Sequence, residues 1–203
     1  MNLRTWKDRF MAVPWIYDCV RPLVVGGIDH GALARFCAVG ESDRVFDLGC
    51  GTARLAEYLK CQGYLGVDLD AEALKRAARV AGPHARFFHG DHWDALLRDL
   101  RPTVVLMIGV VHHLANESFH SIVQRIRSAC ETPPRIVTLE VAYLPGRRVS
   151  NFLSRMDRGR HVRTPDQYQT LFLENDLRIS RREIVKTRLG YVSYVGYHLL
   201  FEN

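Results

Sequence analysis

Residues able to do chemistry fall in three places along this chain. In the first, the strand-like run Val45-Phe46-Asp47-Leu48 meets Gly49-Cys50-Gly51-Thr52, and helix-forming composition begins at Ala53. Glycines at 49 and 51 let the backbone turn sharply and let a ligand approach where a Cβ would clash. Amides exposed at a helix start favour an anionic group on that ligand. The run Tyr64–Asp68 ends in an acid at the spacing, about twenty residues on, that suits a ribose diol. In the second, His112 and His113 follow the apolar run Val104–Ile108. An imidazole titrates near neutral pH and can take the proton of a substrate hydroxyl. One of the two is expected to point into a cleft, while the other reading of each is a helix cap or a packed side chain. Asn116 reads as the N-cap of the helix that follows. In the third, Arg147, Arg148, Arg155, Arg158, Arg160 and Arg163 crowd one segment. Guanidinium groups match carboxylate or phosphate through paired donors, so Arg158, Arg160 or Arg163 is expected to bind an acidic group on a substrate or its carrier. Asp157 pairing with a neighbour would instead make the cluster structural. Tyr143 is a second candidate on the substrate side.

The elements that must position these groups alternate. Arg44–Leu48, Tyr64–Asp68, Ala85–His89, Thr103–Gly109 and Arg135–Val141 read as strands. Ala53–Cys61, Ala71–Val80 and Glu117–Ala129 read as helices. Val104–Ile108 is wholly apolar, as in a central parallel strand covered on both faces. Repeated strand–helix–strand units imply an α/β, doubly wound, mostly parallel sheet, and open sheets of this kind bind ligands at the carboxyl edge of their strands, where His112 and His113 fall. Thr164-Pro165-Asp166 supplies an N-cap, a proline at the first helical position and an acid in the first turn, so a helix is expected to about Asn175. Arg178–Arg188 and Tyr191–Phe201, with a turn near Gly190, read as a closing hairpin. Residues 1–40 read as a helical N-terminal extension. It is a candidate lid in which Tyr17 and Arg21 reach the ligand, although packing of an amphipathic helix equally accounts for Trp6, Phe10 and Trp15. Residues 41–203 form the main body, with 145–164 as a substrate-shaping insertion, in a single domain overall.

Composition sets the outer bounds. The chain has 203 residues, 47% hydrophobic and 25% charged, which suits one globular domain and excludes a disordered tail or a disulfide-stapled miniprotein. The five cysteines are odd in number and form no CxxC pair, so they read as reduced thiols, and no metal site is expected. No apolar stretch is free enough of charge and proline to span a bilayer, and no secretory signal opens the chain, so the expected location is cytoplasmic. The net charge of +6 is local: residues 147–188 hold eleven basic and five acidic side chains, and the remainder holds 17 of each. A basic C-terminal third points to an anionic partner or to a solvated arginine face.

Nicotinamide-binding and S-adenosylmethionine-binding proteins share the strand–glycine–helix outline. Two residues separate them here. The dinucleotide fingerprint needs a small residue three after Gly51, where this chain has Arg54. Asp47 adds a carboxylate that repels pyrophosphate and suits a ligand carrying an ammonium and a sulfonium. Asp47-Leu48-Gly49-Cys50-Gly51-Thr52, then Gly66-Val67-Asp68, Gly90-Asp91 and Val110-Val111-His112-His113-Leu114, resemble the class I S-adenosylmethionine-dependent methyltransferases across roughly residues 41–142. The resemblance implies a seven-stranded Rossmann-like sheet with an antiparallel last strand. It implies S-adenosylmethionine as cofactor and S-adenosylhomocysteine as product. By the same resemblance Asp47, Gly49 and Gly51 face the methionine part of the cofactor, Asp68 takes the ribose, and Leu69 lies against the adenine. Asp91, with His92 or Trp93 beside it, meets the adenine amino group, and Ile108 lends backbone to the methionine amino group. Ala53 stands where the family usually has a third glycine, and a helix start there would accommodate alanine without strain. The reaction so implied is methyl transfer to an oxygen or nitrogen of a small, anionic or carrier-linked metabolite. An RNA methyltransferase is the rival that pI 9.2 suggests, but the basic segment lacks interleaved stacking aromatics and nucleic acid is not the expected partner. A noncatalytic module that keeps the fold is a third reading, and its mark would be a damaged glycine loop.

Overall fold

The computed structural model describes residues 29–155, 159–187 and 192–202. Seven strands form one sheet: β1 Arg44–Leu48, β2 Gly63–Asp68, β3 Ala85–His89, β4 Val104–Ile108, β5 Arg135–Val141, β6 Leu177–Lys186 and β7 Ser193–Phe201. Their order is β3-β2-β1-β4-β5-β7-β6. The first five run parallel in register, and β7 is antiparallel to both β5 and β6, as expected from the terminal hairpin. The turn near Gly190 lies outside the described residues. Because the order reverses between β1 and β4, the connections leaving the carboxyl ends of these paired strands run to opposite sides and leave a crevice there.

The sheet is covered on both sides, which is why its central strands are mostly apolar, with Asp47, Thr138 and Glu140 as buried exceptions. On one face lie α1 (His30–Cys37), a 3-10 turn Arg54–Tyr58 and α2 (Ala71–Val80); on the other lie α3 (Asp94–Leu100), α4 (Asn116–Ala129) and α6 (Pro165–Leu173). The first face gathers Phe36, Val45, Tyr64, Leu106 and Leu139, and the second gathers Phe46, Met107, Phe119, Tyr168 and Tyr197. Phe36 of α1 packs so closely on Gly196 of β7 that a Cβ there would sit 2.4 Å from its ring. Residues 30–37 therefore belong to the core and not to an extension. Residues 1–28, with Tyr17, Arg21, Trp6, Phe10 and Trp15, lie outside the described residues.

Local chemistry starts the helices where the sequence places them. Asp70 accepts from the Glu72 and Ala73 amides at the head of α2. Thr164 and Gln167 form a reciprocal capping box before α6, with Pro165 in its first turn, an arrangement worth about 1 kcal/mol. Two expectations fail. Ala53 does not open an α-helix: it takes a left-handed φ of 50°, and only a short 3-10 turn follows. Asn116 does not cap α4, since the N-cap position is Ala115, with no side-chain bond. The edge strand β6 is bulged between Ile179 and Arg181 and carries five charged side chains, features that discourage strand addition by another chain. Cys37, Cys50, Cys61 and Cys130 are free thiols.

Candidate functional site

The crevice is floored by the loop after β1. The Gly49 and Cys50 amides both donate to the Val67 carbonyl of β2, at 2.8 and 3.1 Å, which folds the loop flat over the neighbouring strand. Gly49 and Gly51 have φ of 72° and 55°, in the left-handed region that glycine enters without a steric cost. A Cβ on Gly49 would lie 2.7 Å from a Val110 methyl, whereas one on Gly51 would meet nothing within 4 Å. The loop is therefore packed from beneath and open above Gly51, a shape that leaves room for a ligand against the main chain. Ala53 completes the loop with φ 50°. The third-glycine position thus does call for a left-handed residue, and alanine is strained there, contrary to the expectation of an unstrained helix start.

Two carboxylates border this space. Asp68 accepts from the Gly51 amide at 2.7 Å and the Asp70 amide at 2.8 Å, so it joins the end of β2 to the glycine loop and remains half-exposed. Asp47 is buried and accepts from the Tyr64 hydroxyl. Burial drives its carboxyl up to about 7 against the opposing Tyr64 bond, and the charge of Asp68 adds to the rise. An acid held at that value ionises readily once a cation arrives beside it.

Beyond Asp68, Leu69 is 73% exposed, an apolar side chain presented at the strand end. Asp91 and His92 are exposed and 3.5 Å apart. Trp93 instead is core: it packs against Phe46 and lies under Arg125, whose guanidinium is 3.8 Å from the ring centre. Arg125 also holds Asp94 and the Asp91 carbonyl, which fixes the loop that carries Asp91. Ile108 ends β4 half-buried, and the Gly109 amide after it donates to the Leu139 carbonyl at 2.9 Å.

The histidines occupy a 3-10 turn, Val111–His113, gripped from both sides by buried charge. Glu140, fully buried in β5, accepts from the Val111 and His112 amides at 3.1 and 3.0 Å and from His112 Nδ1 at 2.5 Å. The Thr138 hydroxyl lies against the same carboxylate. From the other side, Arg163 donates to the Val111 and Leu114 carbonyls at 3.1 and 2.8 Å, to Asn116 Oδ1 at 2.7 Å and to the His161 carbonyl at 2.9 Å. These bonds occupy Arg163 with the protein's own oxygens. Its role is structural, and Asn116 is its partner.

His112 is consequently only 2% exposed. Gly159 lies flat on its ring, where a Cβ would fall 2.2 Å from Cδ2. His113 is exposed, its ring tilted against that of His112 with centroids 4.2 Å apart. Its amide donates to the Val110 carbonyl, and residues three apart eclipse in a 3-10 turn. His113 therefore shares the side of Val110, the residue that abuts Gly49. Arg160 is exposed, and Tyr143 is half-buried with its amide on the Arg163 carbonyl. Tyr143 also lines a groove of about 510 Å³ with Asn151, Asp166 and Arg182. Arg158 lies outside the described residues. Sequence reasoning missed Glu140, Tyr64 and Gly159. An acid within the otherwise apolar Ile136–Val141 run was the available signal for Glu140, while nothing local marked the other two.

A family model described as a methyltransferase domain matches residues 45–132. No curated protein sequence matches the chain. Among solved structures the chain is similar to CalO1, a methyltransferase in calicheamicin biosynthesis in its SAH-bound form, with a TM-score of 0.71 and 18% identity over 99% of this chain and 61% of that one. It thus spans about three fifths of the length of CalO1. It is also similar to magnesium protoporphyrin IX methyltransferase from Synechocystis PCC 6803 with bound SAH, at TM-score 0.60 and 17% identity over 100% and 89% of the two chains. A SAM-dependent methyltransferase from Thiobacillus denitrificans in complex with S-adenosylhomocysteine matches at TM-score 0.62 and 12% identity, over 85% and 90%. The strand order and these likenesses agree: the fold is that of the class I S-adenosylmethionine-dependent methyltransferases.

Proposed function

Starting from that fold, we propose that this chain transfers a methyl group from S-adenosylmethionine to an oxygen or nitrogen of a small acceptor that is anionic or carrier-linked. The observation that carries the reading is the space above Gly51, open where the rest of the loop is packed, bordered by Asp68, Asp47 and the exposed Leu69. These groups fit a cofactor with a ribose, a cationic amino-acid end and an aromatic base. Asp68 would take the ribose hydroxyls and Leu69 the adenine face. Asp91 and His92 would meet the adenine edge, and Ile108 and the loop amides the methionine end. When bound, the cofactor supplies an electrophilic methyl group.

The chain's own task is to align the acceptor, exclude water and accept a proton. His113, exposed on the Val110 side, is assigned the acceptor proton. His112, Glu140 and Arg163 hold the turn that carries it, and His112 is read as a positioning residue. Arg160 is assigned the acidic group of the acceptor, with Tyr143 beside it. Tyr17, Arg21 and Arg158 stay in the proposal on their sequence positions alone.

Calorimetry with S-adenosylhomocysteine tests the cofactor half: Asp68→Ala should weaken binding at least tenfold and leave the far-UV spectrum unchanged, and unchanged affinity would refute it. Incubation with methyl-labelled S-adenosylmethionine and fractionated cell extract tests the acceptor half. Label in a small-molecule fraction, lost in His113→Ala, is expected. Label confined to nuclease-sensitive material would overturn the small-acceptor reading.

A further inference from the structure

Helix α5 (Arg148–Arg155) divides its apolar side chains between two faces. Its inward face carries Ser150 and Ser154, both buried, with Leu153 packed beside them on the core. Ser150 Oγ accepts from the Ser193 amide at 3.1 Å, and the Ser154 hydroxyl donates to the Ser150 carbonyl at 2.8 Å. The Asn151 amide clasps both the N–H and the C=O of Leu144, at 2.9 Å each. The outward face carries Val149 and Phe152, 60% and 61% exposed and one turn apart. A helix that only packed against its own domain would cover this pair as it covers Leu153.

Charge accompanies the exposed apolar pair. Arg148, Phe152 and Arg155 follow at i, i+4 and i+7 and share one side, with Arg147 exposed just before and Arg160 exposed just after. Between Val141 and Asp166 the sequence holds six arginines and a single acid, Asp157. Exposed Phe and Val framed by arginines are the chemistry of a helix lying at a lipid–water boundary, with apolar side chains among the acyl chains and cations at the phosphates. An acidic protein surface would answer the arginines but not the uncovered Phe152. No helix among the described residues is long and apolar enough to cross a membrane, so contact through this face would be peripheral.

We propose that the outward face of α5 docks on an anionic lipid surface. The consequence for the enzyme is positional. The chain runs from α5 to Gly159 over His112 and on to Arg160 within a few residues, so docking sets the acceptor side of the site at the headgroup layer. Vesicle binding needs neither cofactor nor acceptor, so this proposal and the proposed reaction can fail separately.

The test is co-sedimentation of the full chain with vesicles of phosphatidylglycerol and phosphatidylcholine at 3:7, and with phosphatidylcholine alone. Binding to the anionic vesicles that weakens with salt is expected. Phe152→Ser with Val149→Ser should reduce it at least tenfold, and Arg148→Glu should reduce it at least fivefold, the factor for about 1 kcal/mol per arginine at such a surface. Lys186→Glu on the β6 edge serves as the charge control and should bind as the wild type does. Circular dichroism checks the fold of each variant. No pelleting, equal pelleting with neutral vesicles, or unaltered binding by the Phe152/Val149 double variant would overturn the proposal.

Discussion

Replacing Asp47 with Asn removes a carboxyl that burial holds against ionisation, and its effect can be worked out from the burial. The folded-state value is about 7, against an ordinary 3.8. Between those two pH values the folded protein keeps a proton that the unfolded chain has lost. Stability therefore falls as pH rises through that window, by about 1.4 kcal/mol per pH unit and about 4 kcal/mol in all, and is flat above it. Between pH 5 and 7 the wild type should lose roughly 2–3 kcal/mol from this group. Asparagine offers the same oxygen to the Tyr64 hydroxyl and cannot ionise, so Asp47→Asn should lack this loss and be the more stable protein at pH 8. Urea unfolding of both proteins at pH 5, 6, 7 and 8 reads the difference directly. Saturating S-adenosylmethionine, whose cationic end favours the ionised carboxylate, should flatten the wild-type slope and leave the variant unchanged. Parallel wild-type and variant curves across this range would refute the burial argument.

Ala53→Gly should raise stability by about 0.5–1 kcal/mol, since it relieves a left-handed alanine at the cost of a more flexible unfolded chain; the urea midpoint measures it. Glu140→Gln should cost about 2–4 kcal/mol through the weakened grip on the Val111 and His112 amides. It should also lower turnover and displace the pH profile of methyl transfer while S-adenosylhomocysteine affinity holds; a profile unmoved from wild type would count against the positioning role of His112.

Much of the fold was legible because the strands carry period and composition of their own. Val104–Ile108 is apolar at every position, and the Thr164-Pro165 cap opens its helix through bonds within four residues. The glycine loop was legible for the same reason: glycines 49 and 51 and Asp68 lie along one strand–loop–strand path, and the structure joins them through the Gly51 amide. What was lost depended on contacts distant in sequence. Arg163 looked like a free cation because three of its four oxygen partners stand about fifty positions away. Asn116 looked like a cap because nothing nearby competes for its oxygen. Ala53 misled because residue type alone does not disclose the sign of φ. The split within α5, Leu153 inward with two serines and Phe152 outward, was likewise invisible, since residue type alone does not say which apolar side chain meets the sheet.

The turn bearing the histidines hangs between a buried anion on one strand and a buried cation from a later segment. Each charge satisfies its own set of backbone groups, Glu140 the amides of Val111 and His112 and Arg163 the carbonyls of Val111 and Leu114, so deleting either leaves buried polar groups of the turn without that partner. Descendants of this chain that keep the turn are therefore expected to keep an acceptor at position 140 and a donor at position 163, each for the backbone groups it holds.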